Sequence, residues 1–318
     1  MIQAAPVATI VLVALRERSM TNGKCRFPKA LLLIVVVVAA IGFNRGCVGR
    51  GTWANSEEEI DLPALGVHTV LIRTDNGSIQ VRPTRGDGDT IHVRAIIRAA
   101  GRDENDAQAC LDAVDIITPT SGPADSVQEI RWAWSDPNWS SQKAEVSFEV
   151  SLPAALDLNV ETENGKVDVV GVTGDCELKS RNGAVRAWAV AAQRLSASTQ
   201  NGAIDIESPA GEIDLTTTNG KIVAALTGTT VSKGTLKTQN GEIRLSIDPA
   251  ANVQFRCKTN NGRITNSLPL GDVKKSSRRG LTGQLGDGGG TIDVSSNNGA
   301  IRLEKIDPRR VERSDEDE

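Results

Sequence analysis

The octapeptide Thr199-Gln200-Asn201-Gly202-Ala203-Ile204-Asp205-Ile206 decides how this chain is read, because its pattern recurs along the sequence. Asn-Gly stands at Asn76, Asn164, Asn182, Asn201, Asn219, Asn240, Asn261 and Asn298, and from Asn164 to Asn261 the successive spacings are 18, 19, 18, 21 and 21 residues. Two positions before each Asn is a hydroxyl residue: Thr74, Thr162, Ser180, Thr199, Thr217, Thr238, Thr259 and Ser296. Four before it stand Ile72, Val160, Leu178, Ala197, Leu215, Leu236, Cys257 and Val294. Three after it stand Ile79, Val167, Val185, Ile204, Ile222, Ile243, Ile264 and Ile301, all β-branched. Five after it the residue is apolar in every unit except the one holding Asn266. Period two on both sides of a fixed corner means two strands, each burying one face. Asn and Gly at the corner are expected to supply left-handed backbone conformations that other residues resist.

Two architectures satisfy this pattern. Asn-Gly between alternating apolar residues is the strongest short hairpin signal, and a hairpin would place the same positions on one face. A parallel β-solenoid stacks its coils ~4.8 Å apart and turns equivalent positions into ladders of Thr, Asn and Ile. A meander has no comparable reason to repeat the same residue at each position, so the repetition favours the solenoid. In that frame Cys176 and Cys257 lie on the inward phase, with coils four steps or about 19 Å apart. That is too far for a disulfide, and both read as small buried hydrophobes.

The run of Thr-x-Asn-Gly-x-Ile units resembles the putative-adhesin, or toastrack, β-solenoid domains of bacterial envelope proteins. The segment Gly283 to Gly290, followed by Thr291-Ile292-Asp293-Val294 and Asn298-Gly299-Ala300-Ile301, is similar to that family's closing coil. Strand-like Thr90 to Arg98, a short helical stretch from Asp103 to Val114 and strand-like Ala144 to Pro153 also match its entrance. The resemblance covers roughly residues 64 to 305. It implies an extracytoplasmic, membrane-linked β-solenoid and supplies no catalytic residue.

The N-terminus bears on location. Ala30 to Phe43 reads ALLLIVVVVAAIGF, uncharged and preceded by Lys24, Arg26 and Lys29, the layout of an export signal. Fourteen residues fall short of the ~20 that span a bilayer, although flanking Lys29 and Arg45 can snorkel. A cleaved signal and an uncleaved single-pass anchor both stay open, and the anchor is the preferred reading, with the basic side inside. Cys47 lacks the small and aliphatic neighbours of a lipoprotein signal, and translation starting at Met20 gives a tidier export start. The expected plan is a cytoplasmic start at 1–28, a signal anchor or signal peptide at 29–49, a linker at 50–63, the solenoid at 64–305 and a charged tail at 306–318. The expected fold is all-β: a two-sheeted parallel β-solenoid, toastrack-like, with one short helix near its N-terminal part and a single membrane segment before it.

Composition agrees with a thin core. Among 318 residues there are 4 Phe, 5 Trp and no Tyr, so Ile, Val, Leu, Ala and Thr must fill it. A net charge of -4 offers no overall basic field, and no nucleic-acid partner is expected. Two histidines, His68 and His92, are too few for most His-based metal or triad chemistry, and no metal or cofactor is expected.

Trp132, Trp134 and Trp139 fall within one short stretch. As a flat aromatic face they could stack on a sugar ring or clamp a peptide; as packing they would cover one flank of the solenoid. Arg85-Gly86-Asp87 spells an integrin-binding tripeptide but reads as a turn. Asp287 among glycines does not fit a calcium-binding repeat, and Asp103 with Asn105 fails as an EF-hand because Ala107 and Gln108 occupy the next required positions. Outward carboxylates such as Glu212, Asp214 and Glu242 could face one another across coils, as a glycosidase pair would, yet nothing singles out a pair. The expected function is therefore a non-enzymatic extracytoplasmic scaffold or adhesive module on the cell membrane, with an envelope protein or a glycan as partner. An envelope-stress sensor that binds a partner protein and a carbohydrate-active solenoid enzyme are the alternatives.

Overall fold

The computed structural model describes residues 52–84, 88–121, 126–136, 139, 143–209, 211–228 and 231–306. The apolar run from Ala30 to Phe43, Met20, Cys47, the Arg85-Gly86-Asp87 tripeptide and the tail from 307 onward lie outside the described residues. In chain order the elements are β1 (Thr52–Pro63), β2 (Thr69–Asn76), β3 (Ile79–Pro83), β4 (Thr90–Gly101), α1 (Glu104–Asp112), β5 (Val114–Ile117), β6 (Thr120–Ser121), β7 (Val127–Trp134), β8 (Ala144–Leu152), β9 (Asp157–Asn164), β10 (Val167–Val170), β11 (Cys176–Ser180) and β12 (Val185–Trp188). They continue with β13 (Arg194–Thr199), β14 (Ile204–Ser208), β15 (Glu212–Thr217), β16 (Ile222–Leu226), β17 (Lys233–Thr238), β18 (Ile243–Ile247), β19 (Val253–Thr259), β20 (Ile264–Asn266), β21 (Gly271–Ser277), β22 (Gly280–Leu285), β23 (Gly290–Ser296) and β24 (Ile301–Lys305).

Each Asn-Gly corner sends the chain from one sheet to the other. The strands flanking Asn201-Gly202, β13 and β14, belong to different sheets, and each pairs in parallel with the equivalent strand of the coils on either side. The hairpin alternative is thereby overturned. One sheet runs β1-β4-β8-β3-β10-β12-β14-β16-β18-β24-β20; the other runs β21-β22-β19-β23-β17-β15-β13-β11-β9-β2-β7-β5. The register keeps equivalent positions side by side, as in Leu195 beside Ile213 and Thr199 beside Thr217. Between the sheets lies the core, where Ile72, Ile79, Leu178, Ile204, Leu215, Ile222, Leu236 and Ile243 are fully buried. Full burial of such a side chain stabilises by ~1.5–3 kcal/mol relative to exposure, which the alternation delivers on every coil. Asn266, the exception to the apolar rule, is exposed because β20 is the last strand of its sheet.

Coil order departs from chain order at both ends. The β7–β8 coil lies outside β2–β3, and β23–β24 is inserted between β17–β18 and β19–β20. The β23–β24 coil is therefore last in sequence but penultimate in space, while Gly283–Leu285, which precede it, lie in β22 beyond the terminal coil. Cys176 and Cys257 are consequently five coils apart rather than four, and both are buried free thiols.

The first end is closed by antiparallel additions. Residues 50–63 were expected to be a linker, yet Thr52–Pro63 form an edge strand paired along its whole length with β4. Its alternation is weaker than that of the repeats and three successive glutamates interrupt it, which is why it does not read as a strand. Arg94 ties the outer surface together, reaching Glu57 and Glu149 at 2.8 Å each. Helix α1 packs on β4, β1 and β5 and buries Ala107, Cys110 and Leu111. Its N-cap is Asp103, whose Oδ1 accepts the Asp106 N–H at 2.8 Å, and Asp106 Oδ2 reaches back past the cap to accept the Arg102 N–H at 2.9 Å.

Candidate functional site

The corners form a continuous spine. Each Asn before the last donates its side-chain amide to the side-chain oxygen of the Asn one coil away, and the chain of bonds runs Asn261 to Asn298, Asn240, Asn219, Asn201, Asn182, Asn164 and Asn76, at 2.8–2.9 Å. Behind it the hydroxyl residues are buried and donate to the corner carbonyl of the adjacent coil, as Thr217 does to Gly202 O at 3.1 Å and Ser296 to Gly241 O at 3.0 Å. The polar groups repeated in the sequence are thus consumed in holding coil to coil, as buried donors must be.

The glycines serve a different purpose from the one expected. Among the eight corners only Gly77 has a positive φ, 142°, and none of the corner Asn residues does. Glycine is required because a Cβ on Gly165, Gly183, Gly202, Gly220, Gly241, Gly299 or Gly262 would lie 1.8–1.9 Å from the carbonyl oxygen of the neighbouring corner glycine. Close approach of stacked backbones fixes the residue.

The three tryptophans meet at the α1 end. Strand β7 places Trp132 and Trp134 on its inward phase, where Trp132 is 8% exposed and part of the core. Trp134 meets Trp132 edge to face at 5.1 Å and stacks on Trp139 at 6.1 Å, both packed against the core. Lys143 Nζ lies 4.6 Å from the Trp139 ring centre, a cation–π distance. Trp132 offers no open face, whereas Trp134 and Trp139 are half-buried.

The carboxylates do not converge. Glu212 and Asp214 line a shallow open groove of about 550 Å³ on the β11–β13–β15 sheet with Asp157, Asp175 and Arg194, whereas Glu242 precedes β18 on the opposite sheet. Glu212 pairs with Lys233 at 3.3 Å and Glu242 with Arg302 at 2.8 Å, while Asp214 accepts from Thr216 at 3.4 Å. Asp287 sits in a turn wrapped around Asn252, whose Oδ1 accepts the Asp287 N–H at 3.0 Å. Among the described residues no group of His, Cys, Asp and Glu has the arrangement of a metal site. The sequence reading missed the crowding of cations on the terminal β19–β22 strands, which a running charge count would have revealed beneath a net charge of -4.

Comparison with solved structures finds a putative cell adhesion protein from Clostridium sporogenes ATCC 15579, at 10% identity, 79% coverage of this chain, 100% of that one and a TM-score of 0.34. It also finds a putative adhesin from Bacteroides fragilis NCTC 9343, at 10% identity, 79% and 97% coverage and a TM-score of 0.37. No curated protein matches the sequence. The model of the Toastrack DUF4097 family matches residues 123–304, more than half of the sequence, and the chain belongs to that family.

Proposed function

We propose that the protein is a non-enzymatic binding module or scaffold, displayed outside the cell membrane by its apolar N-terminal run. The observation that carries this reading is the uninterrupted Asn spine. Every corner spends its side chains on stacking, and the outward carboxylates Glu212 and Glu242 are engaged with cations. The result is a stiff array of strands with broad polar faces, suited to holding a contact surface at a fixed distance from an anchor. Trp134 and Trp139, flanked by Lys143, form the aromatic contact point of that module for a glycan or an envelope protein.

The test is a glycan array and a pull-down from envelope extract with the full chain and with its Trp134→Ala/Trp139→Ala variant. Specific capture that the variant loses supports the reading. Turnover of a polysaccharide, abolished by Glu212→Gln, would replace it with the enzyme.

A further inference from the structure

We infer that the terminal coil, remote from α1, is a binding site for a flexible linear polyanion that carries one negative group per repeating unit. Residues 252–285 contain Arg256, Lys258, Arg263, Lys274, Lys275, Arg278 and Arg279 against a single acid, Asp272. Residues 157–177, toward the other end, hold the reverse: Asp157, Glu161, Glu163, Asp168, Asp175 and Glu177 against Lys166. The two ends of the stack, β7–β8 and β19–β20, are eight coil steps or about 38 Å apart.

The basic end differs from the rest of the surface in how its charges are used. On the remaining surface many outward cations are paired, such as Arg94 with Glu57 and Glu149, Arg194 with Asp175 and Arg302 with Glu242, and unpaired ones such as Arg181 and Lys221 are scattered among acids rather than clustered. At the terminal coil Arg256, Lys258, Arg263, Lys274, Arg278 and Arg279 are all exposed, and among the described residues none forms an ion pair. Asp293 is the register neighbour of Arg256 on β23, and it leaves the patch strongly positive. Like charges gathered on one end of a fold repel, and a bound anion would offset that repulsion.

The layout selects the ligand's form. Lys258 lies on β19 and Arg263 just past the Asn261-Gly262 corner, while Arg278 and Arg279 form the β21–β22 turn, whose carbonyls accept the N–H groups of Ile264 at 2.9 Å and Thr259 at 3.0 Å. The charges therefore bend around the corner from the face of one sheet. A flexible chain can follow that bend, whereas a planar lipid surface meets only part of it. Phe255, the aromatic of this coil, is fully buried, so bases would find no stacking platform of the kind single-stranded nucleic acids use. A polyphosphate or an acidic polysaccharide meets the requirement by charge alone.

The inference names a ligand chemistry for the proposed binding role at a second site, and it does not depend on the tryptophans. The full chain is titrated with long-chain inorganic polyphosphate, with polygalacturonate and with neutral dextran. Binding to the two polyanions and not to dextran is expected, weakening about 50- to 300-fold between 50 and 200 mM salt, as for four to six charges neutralised along a flexible chain. The variant Lys258→Gln/Arg263→Gln/Arg278→Gln/Arg279→Gln should lose at least tenfold. A control lacking Lys179, Arg181, Arg186 and Lys221 should bind normally. Circular dichroism checks folding, and the milder Arg278→Gln/Arg279→Gln variant, confined to the exposed β21–β22 turn, should still weaken binding several-fold if the quadruple variant unfolds. No polyanion binding at 50 mM salt overturns the inference. So does tighter binding of single-stranded DNA than of polyphosphate at equal charge, or a preference for phosphatidylglycerol over phosphatidylcholine vesicles that exceeds polymer binding and vanishes in the variant.

Discussion

The side-chain amide of Asn261 donates to Asn298 Oδ1 at 2.8 Å, across 37 residues of sequence, and Asn298 donates in turn to Asn240 at the same distance. One polar bond thus records that the chain lays down the β19–β20 coil first and then returns to fill the gap behind it. An interior Asn has a donor and an acceptor bond along the spine, whereas Asn261 has its donor bond alone among the spine bonds. Asn219→Ala should therefore cost about 1–2 kcal/mol and Asn261→Ala about half that, given ~1 kcal/mol per hydrogen bond. Equilibrium urea unfolding of the two variants measures the difference, and equal losses would mean that the spine does not act as a ladder.

Gly202 sets a sharper contrast. A Cβ there would stand 1.9 Å from Gly183 O, a backbone atom that cannot swing away, whereas one on Gly271 would meet nothing within 4 Å. Gly202→Ala should destabilise by roughly 3 kcal/mol or more, as severe overpacking does. Gly271→Ala should change stability by no more than about 0.5 kcal/mol. Thermal unfolding separates the cases.

The repeat was legible because a stacked coil reuses the same environment, so Thr217 donates to Gly202 O and Thr238 to the equivalent Gly220 O one coil on. Periodicity of Ile, Thr and Asn is that geometry written into sequence. Coil order was not legible: the pairing of β17 with β23 instead of β19 depends on which equivalent strand arrives beside it, and the equivalence that reveals the repeat hides the order. The role of corner glycine was misread because a left-handed turn and a close backbone approach select the same residue. The pairing of β1 with β4 escaped notice because an edge strand need not alternate strictly. Trp132 and Trp134 were rightly placed on one face, but their sequence could not say that the face was inward.

The described thiols should be silent in the native state. Burial pushes the Cys176 and Cys257 thiols up to about 12, with Asp157 and Asp175 adding to the first and Asp293 to the second. Burial also raises the Cys110 thiol. Thiolate is the reactive form, so none of the three should be labelled by a maleimide at pH 7 until denaturant is added. Mass spectrometry after a short pulse checks this. Native labelling at Cys257 would show that the terminal coil opens locally.

Two carboxylates should give opposite pH signatures. Glu58 is held above the usual range by burial first and by Asp115 second. Its ionised form therefore costs stability at neutral pH, and the cost disappears as pH falls through the raised folded value. Glu58→Gln should stabilise by a few tenths of a kcal/mol at pH 7, after allowance for solvent screening, and match the wild type near pH 4. For Asp175, burial pushes the carboxyl up, but the Arg194 N–H and guanidinium, at 2.8–2.9 Å, outweigh it and leave it below the usual range. That stability is present above the ordinary Asp value and is lost as pH falls through the lowered one. Asp175→Asn should therefore destabilise by up to about 1 kcal/mol at pH 7 and converge on the wild type in acid. Urea midpoints measured from pH 3 to pH 8 would show the two difference curves with opposite signs, and a shared sign would contradict the opposed environments of the two carboxyls.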